Sequence, residues 1–389
     1  MKNKRLMNIL IYLGIIIFSV IFIIFGNKIA SKDLYVSQSG EITSYKAEVI
    51  NIVSSEITET VITGNEPVEG FKILFNAKIK SGDLKGKEVL AEQESTVFSP
   101  SQLKKVEEGD KVIIIKNAAL EDKFILNEYV RFDSIIVLGI IFLLGLIIFG
   151  RFKGLNTIIS LCFTCLSVFL VFIPAVLSGK NIYLWSVIIC IFTIVMTLIV
   201  INGINKKSWV SMLGCAGGLL CSGLIAVIMD KVMHLTGMLN EESIFLIQLN
   251  EKNPIDLRAI IFAAILIGAM GAVMDVAMSV SSSLYEISQQ VEKSTFYSLF
   301  KSGINIGRDM MGTMANTLIL AYIGSSLSMV LLLISYTESY LELLNKEMII
   351  VEFLQALSGS IGILLTIPLT AAISGIMYTS KKSKRNNML

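Results

Sequence analysis

The chain has 389 residues, of which 54% are hydrophobic and only 16% are charged, and its formal net charge is +2. This composition is too apolar for an ordinary soluble protein, so we predict an α-helical polytopic membrane protein that lies in a lipid bilayer. The basic residues are spread in short clusters instead of forming one basic face, which argues against a nucleic-acid partner.

The first predicted element is an apolar run, residues 6–26, that follows a basic start. It is long enough to cross a hydrocarbon core of about 30 Å. A cleaved signal peptide is the alternative, because the small residues from Gly26 to Ala30 resemble a cleavage region. The length of the run favours a retained transmembrane anchor, residues 1–30.

The next segment, residues 31–132, has a different composition, with 17 of the 31 acidic residues and 13 of the 33 basic residues of the chain. Short runs of alternating β-forming residues are separated by turn residues, which predicts a separate β-rich domain. The predicted strands are 46–53, 71–80, 88–94, 112–115 and 123–130. Five short strands indicate a small barrel, OB-like or SH3-like, and the favoured interpretation of its role is a solvated scaffold.

Seven further apolar runs follow, which with the first makes about eight transmembrane helices. They are residues 134–149, 157–177, 182–201, 209–229, 259–280, 311–335 and 353–378. We therefore expect a seven-helix bundle, residues 133–380, and a basic tail, residues 381–389. Asn253 is the predicted N-cap of the sixth span, and residues 241–250 are a candidate amphipathic surface helix.

The distribution of Lys and Arg in the termini and short loops predicts the orientation, because cytoplasmic loops carry an excess of these residues. One side has 14 of them and the other has 5 when the large polar domain is left out. Both termini are then cytoplasmic, and residues 31–132 are extracytoplasmic.

Small residues mark two of the predicted spans. Gly214 and Gly218 in the fifth span, and Gly268 and Gly271 in the sixth, have the spacing that lets helix backbones approach closely, so we interpret them as helix-packing glycines. The five cysteines all lie in apolar runs, and we expect them to pack as small hydrophobic residues. The pattern predicts no disulfide, no metal site and no cofactor.

The most informative feature is a set of polar residues in the sixth and seventh spans, because such groups cost several kcal/mol to hold in lipid. Helical periodicity places Asp275, Ser279 and Ser282 on one face of the sixth span, and Asp309, Thr313 and Asn316 or Thr317 on one face of the seventh. The set consists of Asp275, Ser279 and Ser282 in the sixth span and of Arg308, Asp309, Thr313, Asn316 and Thr317 at the start of the seventh.

Two interpretations of this set remain open. In one, it is a site for a cation, a proton or a substrate, with Asp275 as the titrating or coordinating carboxylate and the oxygens of Thr313, Asn316 and Thr317 as ligands. In the other, it is an interhelical clamp in which Asp275 pairs with Arg308 or forms a hydrogen bond with Asn316.

Three stretches of the sequence resemble the YibE/F family of bacterial multipass membrane proteins: GAVMDVAMSVSSSLYEI, GINIGRDMMGTMANTLILAYIG and SGSIGILLTIPLTAAISG. The order of anchor, β-rich domain and helical bundle is also similar to that family. The resemblance implies a bacterial plasma-membrane protein, and it implies no activity and no catalytic or ligand-binding residue.

From the polar residues we expect a permease-like transport protein for an ion or small solute. The alternative is a membrane assembly or sensing subunit whose external β-domain, within residues 31–132, binds a membrane or envelope partner. An enzyme is not favoured, because no nucleophile with a base, paired carboxylates or metal-ligand set occurs at a workable spacing.

Overall fold

The computed structural model describes residues 2–32, 43–60, 68–95, 104–116, 123–239, 241–248, 254–291, 294–336 and 339–379. The chain divides into two compact units, residues 36–145 and residues 1–35 together with 146–389. The smaller unit contains the five described strands, and the larger unit contains most of the helices.

The five strands close into a small barrel in the order β1-β2-β3-β5-β4. Neighbouring strands are antiparallel, except that β3 and β5 are parallel. The strands are β1 (Ser44–Thr60), β2 (Val68–Ile79), β3 (Glu88–Ser95), β4 (Lys111–Lys116) and β5 (Phe124–Tyr129). The predicted five-stranded barrel is therefore confirmed, and its strand order matches the OB barrel of the two predicted alternatives.

The barrel core follows from the alternation of apolar residues along each strand. Phe75, Ile79, Ile114 and Leu126 are among its fully buried side chains. Gln93 is also buried: its amide donates to the Lys104 carbonyl over 2.8 Å and accepts from the Val106 N–H over 2.9 Å. These bonds satisfy the buried amide and tie β3 to the segment before β4.

The remaining described elements are helical, and seven of these helices are long and apolar enough to cross a membrane when residues 132–177 are counted as one. The helices are α1 (Lys2–Ala30), α2 (Phe132–Ser167), α3 (Ile173–Leu177), α4 (Ile182–Asn202), α5 (Lys206–Val232), α6 (Glu241–Gln248), α7 (Leu257–Gln290), α8 (Phe296–Tyr336), α9 (Tyr340–Asn345) and α10 (Glu347–Thr379). A π-helical turn, Val168–Phe172, joins α2 to α3.

A sharp break at Arg151 divides α2, where φ is 51° and ψ is −129°. A side chain at Gly154 would overlap the carbonyl group of Leu146, eight residues earlier. In a straight helix eight residues advance about 12 Å, so the chain must turn back between these two residues. The two apolar runs that the sequence separates, residues 134–149 and 157–177, thus belong to different helical segments. Counted in this way, the described residues contain eight long apolar helical segments.

The π-helical turn is stabilised by a side chain of α1. Pro174 has no N–H to donate to the carbonyl of Leu170, so that carbonyl lacks its usual helical partner. The Asn27 side chain donates to it instead, over 2.5 Å. The preceding residue, Gly26, packs closely against Val171, so α1 contacts this turn through an amide and a glycine.

The centre of the larger unit is formed by α5, α7, α8 and α10, with α10 in contact with the other three. Two predicted helix starts need correction. Asp256 caps α7, because its carboxylate accepts from the N–H groups of Arg258 and Ala259, and Asn253 lies outside the described residues. The helix that includes the seventh span begins at Phe296, well before the predicted start at residue 311.

Candidate functional site

The exposed side of α7 is a narrow stripe of small and polar residues. Gly268, Gly271 and Asp275 are exposed at spacings of three and four residues, and Ser279 and Ser282 are half-buried further along the helix. The opposite side of α7 is buried in the bundle core. This stripe differs from the exposed sides of α1 and α2, where large apolar side chains predominate.

Asp275 has no hydrogen bond and no ion pair with any residue that the structure describes. The predicted clamp, in which it pairs with Arg308 or bonds to Asn316, is therefore not formed among these residues. A carboxylate in an apolar helix without a positive partner is energetically unfavourable, so Asp275 requires water, a proton, a cation or another molecule as its partner.

The polar residues of α8 are also exposed. Within the described residues, Arg308, Asp309 and Asn316 form no hydrogen bond or ion pair. Thr313 donates its hydroxyl to the Met310 carbonyl over 2.9 Å, and Thr317 donates to the Thr313 carbonyl over 2.8 Å. Each hydroxyl oxygen keeps free lone pairs, so both threonines can still act as acceptors for a cation.

The start of α8 changes the interpretation of Arg308 and Asp309. The sequence places them at the beginning of the seventh span, whereas the helix begins at Phe296, so both lie in its fourth turn. They therefore do not cap a helix, and their charges project from a continuous helical surface.

Two contacts fix the relative level of α7 and α8. Gly268 faces the hydroxyl of Tyr322, and Leu284 lies against Gly303. The two helices therefore run in opposite directions. Interpolation between these contacts places Asp275 about level with residues 313–316 of α8, so Asp275, Thr313 and Asn316 lie at a similar depth in the bundle.

The four predicted packing glycines lie in different environments. A side chain at Gly214 would overlap the hydroxyl of Thr370, and one at Gly218 would overlap that of Thr366, so both glycines lie in a tight contact between α5 and α10. Gly268 lies against Tyr322. At Gly271, by contrast, a side chain would meet no described atom within 4 Å. No described residue therefore packs against Gly271, because its side of the helix is open.

Sequence reasoning did not identify Tyr322 and Glu352. One carboxylate oxygen of Glu352 and the hydroxyl of Tyr322 are buried and have no hydrogen-bond partner in the structure. Tyr322 lies in the apolar run 311–335, and Glu352 immediately precedes the run 353–378 that is predicted for the last span. An acidic residue one position from an apolar run was the signal that could have identified Glu352.

The polar side chains of α7 and α8 offer mainly oxygen atoms as ligands. Among the described residues no group of three or more His, Cys, Asp or Glu side chains is placed to hold a metal ion. Carboxylate, amide and hydroxyl oxygens are ligands for hard cations and hydrogen-bond partners for polar solutes. The α7 and α8 residues can therefore contact such a species with one carboxylate and several neutral oxygens.

A family model described as YibE/F-like protein matches residues 138–380. The chain belongs to this family. The matched YibE/F-like region contains every residue of the α7 and α8 stripes, whereas the barrel strands precede it. No curated protein and no solved structure matches the chain significantly.

Proposed function

We propose that this YibE/F-like protein is a permease-like membrane transport protein that moves an ion or small solute through its helical bundle. In this proposal Asp275 is the carboxylate that binds or couples to a proton or Na⁺. Thr313, Asn316 and Thr317 supply neutral oxygens at the same depth. The long apolar helices and their exposed apolar side chains support the bilayer location.

The observation that carries the proposal is the unpaired Asp275 on the exposed stripe of α7, inside the apolar run 259–280 of that helix. A structural carboxylate would be expected to have its partner within the chain. In this protein the described chain offers none, although α8 presents amide and hydroxyl oxygens at the same level. Intramembrane carboxylates that line a cavity or pathway are typical of ion and proton relays.

The proposed orientation has both termini in the cytoplasm and the barrel outside a bacterial plasma membrane. The division of α2 at Arg151 supports it, because eight segments return the chain to its starting side. The excess of Lys and Arg on that side supports it independently. In this orientation Arg308 and Asp309 lie on the cytoplasmic side of Asp275 along the stripes.

The test is ion flux into proteoliposomes, measured with a pH-sensitive dye for protons and by tracer uptake for sodium. Asp275→Asn keeps the size of the side chain and removes its charge, so we expect flux to fall to the level of protein-free vesicles. Asp275→Glu, which keeps the carboxylate, should retain part of the activity.

The matched control is Glu286→Gln on the same helix, three turns beyond Asp275, where the carboxylate forms an exposed ion pair with Lys207 at 2.7 Å. This control should transport like the parent, because exposed pairs contribute little to stability. Size-exclusion profiles must show that all variants fold. Parental flux in Asp275→Asn would remove this residue from the mechanism.

A second candidate function is a membrane assembly or sensing subunit whose barrel binds a partner. One observation favours it: residues 51–60 of β1 pair with β2 on one edge, apart from Val53 at a register shift, and no described strand pairs with the other edge. Ile50, Val53 and Ile57 are exposed in or next to this part of the strand. An unpaired, partly apolar edge is a surface onto which an extended peptide can add as a further strand.

Crosslinking in native membranes separates the two candidates. Replacing Val53 and Ile57 together by Lys should abolish capture of a partner if the edge binds one, and should leave ion flux unchanged. Leu90→Lys, an exposed apolar residue of β3, is the control. A crosslinking pattern that is the same in parent and double variant contradicts the binding role of this edge.

A further inference from the structure

Glu352 is an ionisable residue of α10 that the site at Asp275 does not include. It lies five residues after the start of the helix at Glu347. The residue is half-buried, and its Oε2 atom is fully buried without a hydrogen-bond partner. No described Lys or Arg side chain forms an ion pair with it. Its charge is therefore not balanced within the described chain.

The position of Glu352 is fixed by a junction of three helices. A side chain at Gly359 of α10 would overlap Leu318 of α8 and would contact Ala269 of α7. Glu352 precedes Gly359 by seven residues, which is two helical turns and hence the same face. It therefore lies on the side of α10 that faces the other two helices.

Tyr322 approaches this junction from α8. It follows Leu318 by four residues and lies on the same face of its helix. Its hydroxyl is buried against Gly268 of α7, where the missing side chain leaves room for it, and it has no hydrogen-bond partner. Gly303 lies against Ala371 and Leu318 against Gly359, so α8 and α10 are antiparallel. Extending this alignment by one turn places Tyr322 within about one helical turn of the level of Glu352.

The other charged groups nearby do not neutralise Glu352. Glu352 forms no hydrogen bond and no ion pair with any residue that the structure describes. Glu347, on the preceding turns of α10, already accepts from the N–H groups of Thr236 and Gly237. Leaving a carboxylate oxygen and a hydroxyl buried without partners costs several kcal/mol, and a proton or a bound cation at the carboxylate would remove most of this cost.

We propose that Glu352, with the Tyr322 hydroxyl beside it, is a second cation site at the junction of α7, α8 and α10, which takes a proton or a monovalent alkali cation. This site is separate from Asp275. On α7 the second site lies level with Gly268, which is seven residues, or about 10 Å of helix, from Asp275. The exposed Gly271 lies between Gly268 and Asp275. Its test requires no transport, so it can succeed or fail independently of the proposed function.

The experiment uses a hydrophobic carbodiimide on the purified full chain in detergent, with mass spectrometry of the modified peptides. The reagent adds across a protonated, water-shielded carboxyl group and rearranges to a stable N-acylurea without loss of atoms. We expect Glu352 to be labelled in sodium-free, mildly acidic buffer, and the exposed carboxylate of Glu342 not to be. Glu352→Gln should abolish the signal, whereas Asp275→Asn should leave it unchanged.

Two arms identify the cation. If an alkali cation binds, added Na⁺ at constant pH should lower the rate of labelling. If only a proton binds, Na⁺ should have no effect, and labelling should fall about tenfold for each pH unit above the midpoint. Tyr322→Phe keeps the ring and removes the hydroxyl, so it should shift the Na⁺ or pH response, and an unchanged response would exclude Tyr322 from the site. Absence of labelling at Glu352 in protein that elutes as a single folded species would overturn the proposal.

Discussion

Two helix surfaces of this protein are made from the same kinds of residue and have opposite environments. One is the contact between α5 and α10, which we call the closed seam. The other is the exposed surface of α7 and α8, which we call the open face. The closed seam comprises Gly214, Gly218, Ser222, Ser358, Gly362, Thr366 and Thr370; the open face comprises Gly271, Asp275, Ser279, Arg308, Asp309, Thr313, Asn316 and Thr317.

The closed seam is held by close backbone approach. Thr366 lies over Gly218, and Ser222 donates to the Ser358 carbonyl over 2.8 Å across the helix contact. Thr366 also donates to the Gly362 carbonyl of its own helix over 2.7 Å. The hydroxyl groups of Ser222 and Thr366 are therefore buried with their donors satisfied, whereas those of Ser358 and Thr370 are buried without a hydrogen-bond partner in the structure. The glycines remove the steric barrier to contact.

The open face has glycines and hydroxyl groups as well, and it also has charge. Ser and Thr can donate to a carbonyl one turn back on the same helix, as Thr317 does. An ionised carboxylate only accepts hydrogen bonds, so it cannot donate to a carbonyl of its own helix. Small residues therefore allow two helices to pack closely, as in the closed seam. On the open face, Asp275, Arg308 and Asp309 make packing against an apolar surface unfavourable.

The largest expected effect is a steric test of this comparison with one substitution at both surfaces. Gly218→Leu would place a side chain in the space of Thr366 and near the Gly362 carbonyl. We expect it to destabilise the protein by about 3 kcal/mol or more, because overpacking a rigid contact displaces backbone. Gly271→Leu points into open space and should fold like the parent. Thermal unfolding in detergent, followed by size-exclusion chromatography, measures both.

Two results would contradict the difference between the closed seam and the open face. A Gly218→Leu protein as stable as the parent would show that the closed seam tolerates separation of α5 and α10. A Gly271→Leu protein that unfolds as readily as Gly218→Leu would show that the open face is covered, for example by a second copy of the chain. In that case the unpaired Asp275 would have its partner in an oligomer.

Much of the fold could be predicted from the sequence, because the signals are local. Alternating β-forming residues between turns gave all five strands of the barrel. Runs of about 20 apolar residues gave the long helices, and the polar stretch from residue 150 to 156 marked the turn at Arg151. The helix ends could not be predicted in this way, because α8 extends a polar first part, residues 296–310, beyond the apolar run.

The site was only partly predictable, for a physical reason. Gly218 and Gly271 have the same sequence signature, and only the position of the neighbouring helix decides which one is packed. The stripe at Asp275 follows from helical periodicity within one helix. The junction of Tyr322 with Glu352 depends on contacts between α7, α8 and α10, which a single-sequence pattern does not contain.

A smaller effect is expected from one hydroxyl group on each surface. Ser222→Ala removes the hydrogen bond to the Ser358 carbonyl in the closed seam, and we expect a loss of about 1 kcal/mol in unfolding free energy. Ser279→Ala on the α7 stripe removes a hydroxyl that has no partner among the described residues, so its effect should be near zero. Denaturant titration of both variants under identical conditions measures the difference. Equal losses of unfolding free energy would mean that the Ser279 hydroxyl also forms a stabilising hydrogen bond.

The smallest expected effect is a change of sign between two glycines. Alanine is the better helix former, and at an unobstructed position Gly→Ala stabilises a helix by about 0.5 kcal/mol. Gly271→Ala should therefore raise the melting temperature slightly, since its new methyl group meets no described atom within 4 Å. Gly214→Ala should lower it, because the methyl group would collide with the Thr370 hydroxyl and separate α5 from α10. If both melting temperatures rise, backbone propensity outweighs packing at both positions; if both fall, Gly271 is also covered. In either case the distinction between closed seam and open face would not extend to a single methyl group.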